Sequence, residues 1–317
     1  MTLALGVASR AMDDAPERSQ VYVMADSRLS FDEWSLDRCF KAVTLGVRSA
    51  AVAAGGFVPF VLAVEGARPF IIANAEDRAK RGLSPLSVWS EASFVWLHLE
   101  LIFDQYRQFV SSGRSVIIVA GFFSDNTPGL IRLEREGTHR QILVFRPAPG
   151  QRAHVVVGTE TYAPIVKEAI RRSAPPDGNG FHDVASVMWD IIKHQGEPAR
   201  SVGGGLSFGF AKGDSSYFYW PILELEGQRF IRGLQYPPNP RWPNSIPIQY
   251  DPALFATLER SHASQALQSG DSPDTAVMVF DNLVVGDPRL FIVEADDSWL
   301  LDELRQREQA VAAARTG

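Results

Sequence analysis

At 317 residues the chain is long for one domain, and 45% hydrophobic against 21% charged residues is the balance of a globular protein that buries a core. A formal net charge of −6, with no Lys/Arg block anywhere, argues against a nucleic-acid-binding surface. The single cysteine, Cys39, excludes an intrachain disulfide framework and a Cys-rich metal site, and it fits a reducing compartment. Apolar runs such as Phe57–Val64 fall short of the roughly 20 residues a membrane span needs. The N-terminus also lacks the basic start and apolar stretch of a secretory signal. The expectation is a cytoplasmic protein with no membrane partner.

The chain opens on strand-like runs. Leu3–Ser9 and Val21–Asp26 are rich in apolar and β-branched residues, and the polar segment Met12–Gln20 between them reads as a long hairpin loop. Lys41–Val47 and Ala50–Ala54 form a second pair joined around Arg48-Ser49, and Gly55-Gly56 ends it. A helix begins at Phe57-Val58-Pro59, since proline is tolerated in a first turn. The polar stretch Asn74–Leu83 reads as an insertion before the longest helical pattern, about Pro85 to Val110, where Trp89, Phe94, Leu97, Leu101 and Phe109 recur at helical spacing.

Four more strands are expected at Ser115–Gly121, Gly129–Glu134, Arg140–Phe145 and Ala153–Gly158. Helices at Tyr162–Ser173 and His182–Gln195 follow, split by Pro175-Pro176-Asp177-Gly178. Leu206–Ala211 and Ser216–Leu225 read as strands. This order lacks the strict alternation of a parallel βαβ sheet and suggests an α+β fold of two antiparallel sheets with helices on their outer faces. Past Gly227 the character shifts: Tyr236–Pro252 is too rich in proline to pair as an internal strand. Ala276–Phe280 and Leu290–Ala295 look like late strands, and a polar helix starts near Asp297 or Ser298. The division is therefore a core over 1–225 and a proline-rich arm with a C-terminal extension over 226–317.

Chemistry concentrates near the start. Thr2 follows Met1, so removal of the methionine would expose a threonine whose own α-amino group can act as its base. Val21–Arg28 ends an apolar strand in Asp26-Ser27-Arg28. Lys41 stands 15 positions after Asp26, and Gly55 stands 14 positions after Lys41. Val155-Val156-Val157-Gly158-Thr159 ends a later strand in a glycine and a hydroxyl. Taken singly, each has a plain structural reading: a polar strand end, a solvated lysine, a turn glycine, a helix N-cap at Thr159 and a loop serine at Ser201. The six histidines show no ligand spacing, and no phosphate or dinucleotide glycine pattern is present, so neither metal nor cofactor is expected.

Together, Thr2, Asp26-Ser27-Arg28, Lys41, Ala54-Gly55, Gly158-Thr159 and Gly203-Gly204-Gly205 resemble the proteasome β-subunit family of N-terminal-nucleophile (Ntn) hydrolases, and within it the bacterial Anbu-type homologues. The resemblance covers about residues 2–225. It implies a four-layer αββα sandwich and a threonine-type peptidase or amide hydrolase. In the implied roles Thr2 attacks, Lys41 tunes the hydroxyl, Asp26 fixes Lys41, and the Gly55 N–H stabilises the oxyanion. Arg28, Thr159 and Ser201 support the site. A homo-oligomer, ring or open helical ring, acting on peptide or protein substrates is implied, and there is room for an unfoldase partner. The same fold as a non-catalytic scaffold or binding subunit is the alternative. An amide hydrolase acting on a small metabolite would use the same residues.

Overall fold

The computed structural model describes residues 3–31, 34–37, 39–55, 57–105, 114–159, 161–173, 180–194, 202–237, 244–265, 275–284, 287 and 297–316. Within them the chain is a mixed α+β protein built on several antiparallel sheets.

Strand β1 (Leu3–Ser9) is buried along its whole length, and alternation sorts its side chains onto two faces. It lies between β2 (Gln20–Asp26) and β10 (Arg152–Gly158), antiparallel to both, and β11 (Leu206–Lys212) pairs on the far side of β2. A short hairpin, β3 (Leu29–Phe31) and β4 (Trp34–Leu36), follows β2. The larger sheet runs in the order β16 (Thr275–Asp281), β9 (His139–Pro147), β8 (Pro128–Glu136), β7 (Ser115–Phe122), β6 (Ala50–Gly55), β5 (Ala42–Thr44), antiparallel throughout. A small sheet joins β14 (Leu234–Tyr236), β13 (Gln228–Ile231) and β12 (Ile222–Leu225), with β15 (Ser245–Pro247) parallel to β12 at its edge.

The helices are α1 (Phe57–Lys80), α2 (Val88–Gln105), α3 (Ala163–Arg172), α4 (Phe181–His194), α5 (Pro252–Gln265) and α6 (Ser298–Thr316). Three apolar clusters hold these elements together. Ala51, Ala53, Ile117 and Val119 of the larger sheet pack with residues of α1, α2 and α6, among them Phe60, Trp96 and Leu300. On the four-stranded sheet, Leu3, Leu5, Val7 and Met24 pack with Ile165, Val187, Leu258 and others of α3, α4 and α5. The third cluster is shared by the two sheets and is rich in alanine: Ala4, Ala8, Ala25, Ala50, Ala54, Ala120, Ala153. Small side chains let the sheets approach closely. Gly6, on the same face, has no room for a Cβ, which would sit 2.9 Å from Ile118 Cγ2. Enlarging such a position would cost about 1–3 kcal/mol through forced rotamers and backbone shifts.

Helix α1 departs from the sequence reading. It runs through Asn74–Lys80, which was expected to be an insertion, because Ala, Glu, Arg and Lys are good helix formers whose polarity here marks solvent exposure. The helix stops at Gly82 (φ +67), with Leu83 N–H donating to Arg78 C=O and Gly82 N–H to Ala79 C=O, the two bonds of a Schellman cap. Pro69 inside it is exposed and costs the helix one backbone hydrogen bond. By length and composition Val58–Lys80 could also cross a membrane, with a mean hydropathy of 1.3 in its most apolar window. It packs against α2, burying Phe60, Ala63, Val64, Ala67 and Ile71 at helical spacing, while Val58, Leu62, Phe70 and Ile72 stay exposed.

The later strands were mostly legible, with local corrections. Of Ser216–Leu225 only Ile222–Leu225 is a strand, because Pro221 has no N–H; upstream, Tyr219 makes one isolated bridge to Phe210. Between its ends, Tyr236 in β14 and Pro252 in α5, the described residues of the proline-rich stretch supply only the edge strand β15, and Leu290–Ala295 lies outside the described residues. From the 226–317 segment, β16 joins the larger sheet beside β9, and α5 packs against α3 and α4.

Candidate active site

Strand β2 ends in a carboxylate wholly removed from water. Asp26 is 0% exposed, and Lys41, one residue ahead of β5, is 1% exposed. Lys41 Nζ lies 3.1 Å from Asp26 Oδ1 and 3.0 Å from Oδ2. An unpaired ion at this depth would cost several kcal/mol, so the two form one unit. The carboxylate has further donors. Leu3 N–H donates to Oδ1 at 2.9 Å, and the N–H groups of Arg28 and Gly203 donate to Oδ2 at 3.2 and 3.3 Å. These come from the start of β1, the turn after β2 and the glycine run before β11. Asp26 is thus the junction where three separate stretches of chain meet.

Burial pulls the Lys41 ammonium below the usual lysine value, and the neighbouring Asp26 charge opposes that shift without cancelling it. Such an amine is closer to exchanging a proton near neutral pH than a surface lysine is.

The strand register brings a second predicted residue to the same end of the sheet. Leu3 faces Gly158 and Ala4 faces Ala25, so Thr159, one residue past β10, lies next to the start of β1 and at the same end of the sheet as the end of β2, with β1 between them. Its Oγ1 is buried and has no hydrogen-bond partner among the described residues. The expected side-chain N-cap is not formed. The Thr159 carbonyl instead accepts the N–H groups of Tyr162 and Ala163 at 3.1 and 3.0 Å, and Pro164 in the first turn has no N–H to offer.

Gly55 closes β6 at φ +86, and a Cβ there would lie 2.0 Å from the Arg114 carbonyl oxygen. Glycine is therefore required both by the backbone conformation and by that approach. Ala53 N–H donates to the Lys41 carbonyl at 3.1 Å, which sets Gly55 about 7 Å farther along the strand from that contact. Arg28, 2% exposed, forks its guanidinium onto the Asp37 carboxylate through Nε and Nη2, the latter at 2.9 Å. A cavity of about 250 Å³ opens alongside, lined by Arg28, Asp37, Trp189, Lys193, Gly204 and Glu226.

Sequence reasoning missed two parts of this arrangement. Ser27 Oγ accepts the Gly205 N–H at 2.7 Å and donates to the Asp37 carbonyl at 2.8 Å, tying the glycine run to the end of β2. A Cβ on Gly203 would meet the Arg28 guanidinium at 2.4 Å, which explains why that contact needs glycine. Both motifs, Asp-Ser-Arg and Gly-Gly-Gly, belong to the resemblance drawn from the sequence, but nothing in the sequence records the contacts between them. Thr2 and Ser201 lie outside the described residues. Among the described residues no cluster of His, Cys, Asp and Glu gathers to hold a metal ion.

In comparisons with known proteins, no family model matches the chain and no curated protein is similar to it.

Proposed function

We propose that the chain is a threonine-type N-terminal-nucleophile hydrolase acting on peptide bonds or related amides, with Thr2 as its nucleophile. The observation that carries the reading is the Leu3 N–H held 2.9 Å from Asp26 Oδ1, on the same carboxylate that grips Lys41. Leu3 N is one bond, about 1.33 Å, from the carbonyl carbon of residue 2, so this contact tethers the nucleophile's own peptide to the buried ion pair.

In the proposed reaction the Thr2 Oγ attacks the substrate carbonyl carbon while the Thr2 α-amino group takes the hydroxyl proton. The oxyanion that forms is met by the Gly55 N–H, ahead of the N-terminus of α1. Collapse breaks the C–N bond, and the leaving amine takes the proton back from the α-ammonium. Water then adds to the Thr2 ester and releases the acid. The role of Lys41 is electrostatic: its charge beside the hydroxyl lowers the cost of forming the alkoxide, and Asp26 fixes its place. The Thr159 hydroxyl, which has no partner among the described residues, accepts from the amine in this reading.

The finer reading of the fold belongs to the same proposal. Helices, the six-stranded sheet, the four-stranded sheet and further helices, separated by three apolar clusters, support a four-layer αββα Ntn sandwich. So does assembly with further copies of the chain, for which exposed Val58, Leu62, Phe70 and Ile72 on α1 offer an apolar surface.

The test is an intact-mass measurement on active protein combined with labelling by a peptide epoxyketone. The expected result is a chain beginning at Thr2 whose label is lost in Thr2→Ala and Lys41→Ala. Hydrolytic activity in protein that still carries a residue before Thr2 would overturn the reading.

A further inference from the structure

The β5–β6 turn lies at the other end of β6 from Gly55, about 17 Å along the strand, and a second buried carboxyl sits there. Glu91, in the first turn of α2, is 4% exposed. The Ser49 hydroxyl is its hydrogen-bond partner, and its Oε2 has none among the described residues. The site is shaped around this group. A Cβ on Gly46 would lie 1.8 Å from Glu91 Oε1, so any other residue at 46 would evict the carboxyl. Beside it is a cavity of about 210 Å³ whose walls include Val47, Leu86, Val88 and Phe122.

Among the described residues no cation answers the carboxyl. Arg48, on the same turn, spends its donors elsewhere: Nη1 on Asn126 Oδ1 at 2.8 Å, Nη2 on the Lys212 and Gly213 carbonyls at 3.1 and 3.0 Å. Its guanidinium also lies over the Phe122 ring, 4.1 Å from the centroid, and Nε has no hydrogen-bond partner among the described residues. From the β7–β8 turn comes Ser124, whose N–H and hydroxyl are held by Asp297, ahead of α6. Helix α1 contributes Ala75 to the lining, and α2 no charged group besides Glu91.

We propose that this cavity binds a small organic monocation, a primary amine or amidine with an apolar body, whose N–H donors meet the Glu91 carboxylate. The volume suits such a ligand: an engineered cavity of about 150 Å³ takes benzene. The apolar walls receive the body, and the carboxyl supplies the acceptor that water or an uncharged ligand would use less well. Binding expels the carboxyl proton to solvent, because the cation stabilises the ionised form. Burial raises the free Glu91 carboxyl to about 8, so affinity rises about tenfold between pH 7 and pH 9.

The experiment is calorimetric titration of the full chain with benzamidine, benzamide and benzoate at pH 7 and 9. Benzamidine is expected to bind at least tenfold more tightly than either of the others, and more tightly at pH 9. Glu91→Gln, the same size without the charge, should lose that tenfold. Ala75→Phe should block binding from the α1 side while leaving Glu91 in place. Circular dichroism confirms that both variants are folded. Equal affinity for benzamide, preferential binding of benzoate through Arg48, unchanged binding in Glu91→Gln, or no binding of benzamidine at millimolar concentration would each overturn the proposal.

Discussion

Replacing Asp26 and Lys41 singly and together separates a structural ion pair from a catalytic one. In Lys41→Met the side chain keeps its length and loses its charge. The Asp26 carboxylate stays buried, but it still receives the Leu3, Arg28 and Gly203 N–H groups. In Asp26→Asn the ammonium is left without its counter-charge, and the amide NH₂ must face at least one backbone donor. Removing one partner of a buried pair costs about 3–5 kcal/mol. Lys41→Met should fall at the low end of that range and Asp26→Asn at the high end. The double variant removes both charges, so its loss should be smaller than the sum by about 2 kcal/mol or more. Denaturant unfolding with an unchanged m-value gives these numbers. Hydrolysis and Thr2 labelling should fall by about 100-fold or more in all three proteins, including the double variant that recovers stability. Singles costing under about 1 kcal/mol would refute the buried-pair argument. A stable double variant that still labels at the wild-type rate would leave the pair a structural device with no part in the chemistry of Thr2.

Gly55→Ala forces a Cβ to 2.0 Å from the Arg114 carbonyl at φ +86, so it should destabilise by more than about 1 kcal/mol and slow turnover beyond the loss of folded protein; melting curves and rates per folded molecule separate the two. Thr159→Val removes a buried hydroxyl that has no partner among the described residues. Stability should hold or rise by up to about 1 kcal/mol while hydrolysis slows several-fold, and a stability loss with unchanged rate would show that the hydroxyl serves the fold. Glu91 should make the wild type pH-sensitive. Its carboxyl is raised from 4.5 to about 8 in the folded chain, so the stability it allows is full below about 4.5 and is lost as pH rises through about 8. Thermal melts at pH 5 and 8.5 should differ more for wild type than for Glu91→Gln.

What was legible in the sequence follows the kind of information each feature needs. β1, β2, β7, β8, β9 and β10 could be read because two buried faces leave continuous apolar runs bounded by turn residues. The Asp26–Lys41 partnership entered through the family resemblance, since a separation of 15 positions does not by itself pair two side chains; in the fold Lys41 Nζ lies 3.0 Å from Asp26 Oδ2. The extent of α1 was misread because the polarity of Asn74–Lys80 was taken for a loop, whereas a helix end facing solvent is polar for the same reason. The Gly203 and Leu3 contacts on Asp26 are backbone bonds, which any sequence could make and which no side-chain pattern records. Glu91 was invisible because its burial depends on Gly46, distant in sequence, having no Cβ.

The two carboxyls near the ends of β6 answer the same problem in opposite ways. A carboxylate taken out of water must find a cation, gather hydrogen bonds or hold its proton. Asp26 takes the first two routes, with Lys41 and three backbone N–H groups around it, all supplied by its own chain. Among the described residues Glu91 has one hydroxyl partner and an oxygen with none, a cavity lies beside it, and burial raises its carboxyl to about 8. A group so placed destabilises the fold whenever it ionises, so a packed core would favour filling the space with an apolar side chain. An open cavity at its flank instead leaves the missing cation to be supplied from outside. The Asp26 junction is completed by the chain's own residues, whereas the gap around Glu91 is the one the proposed ligand would fill.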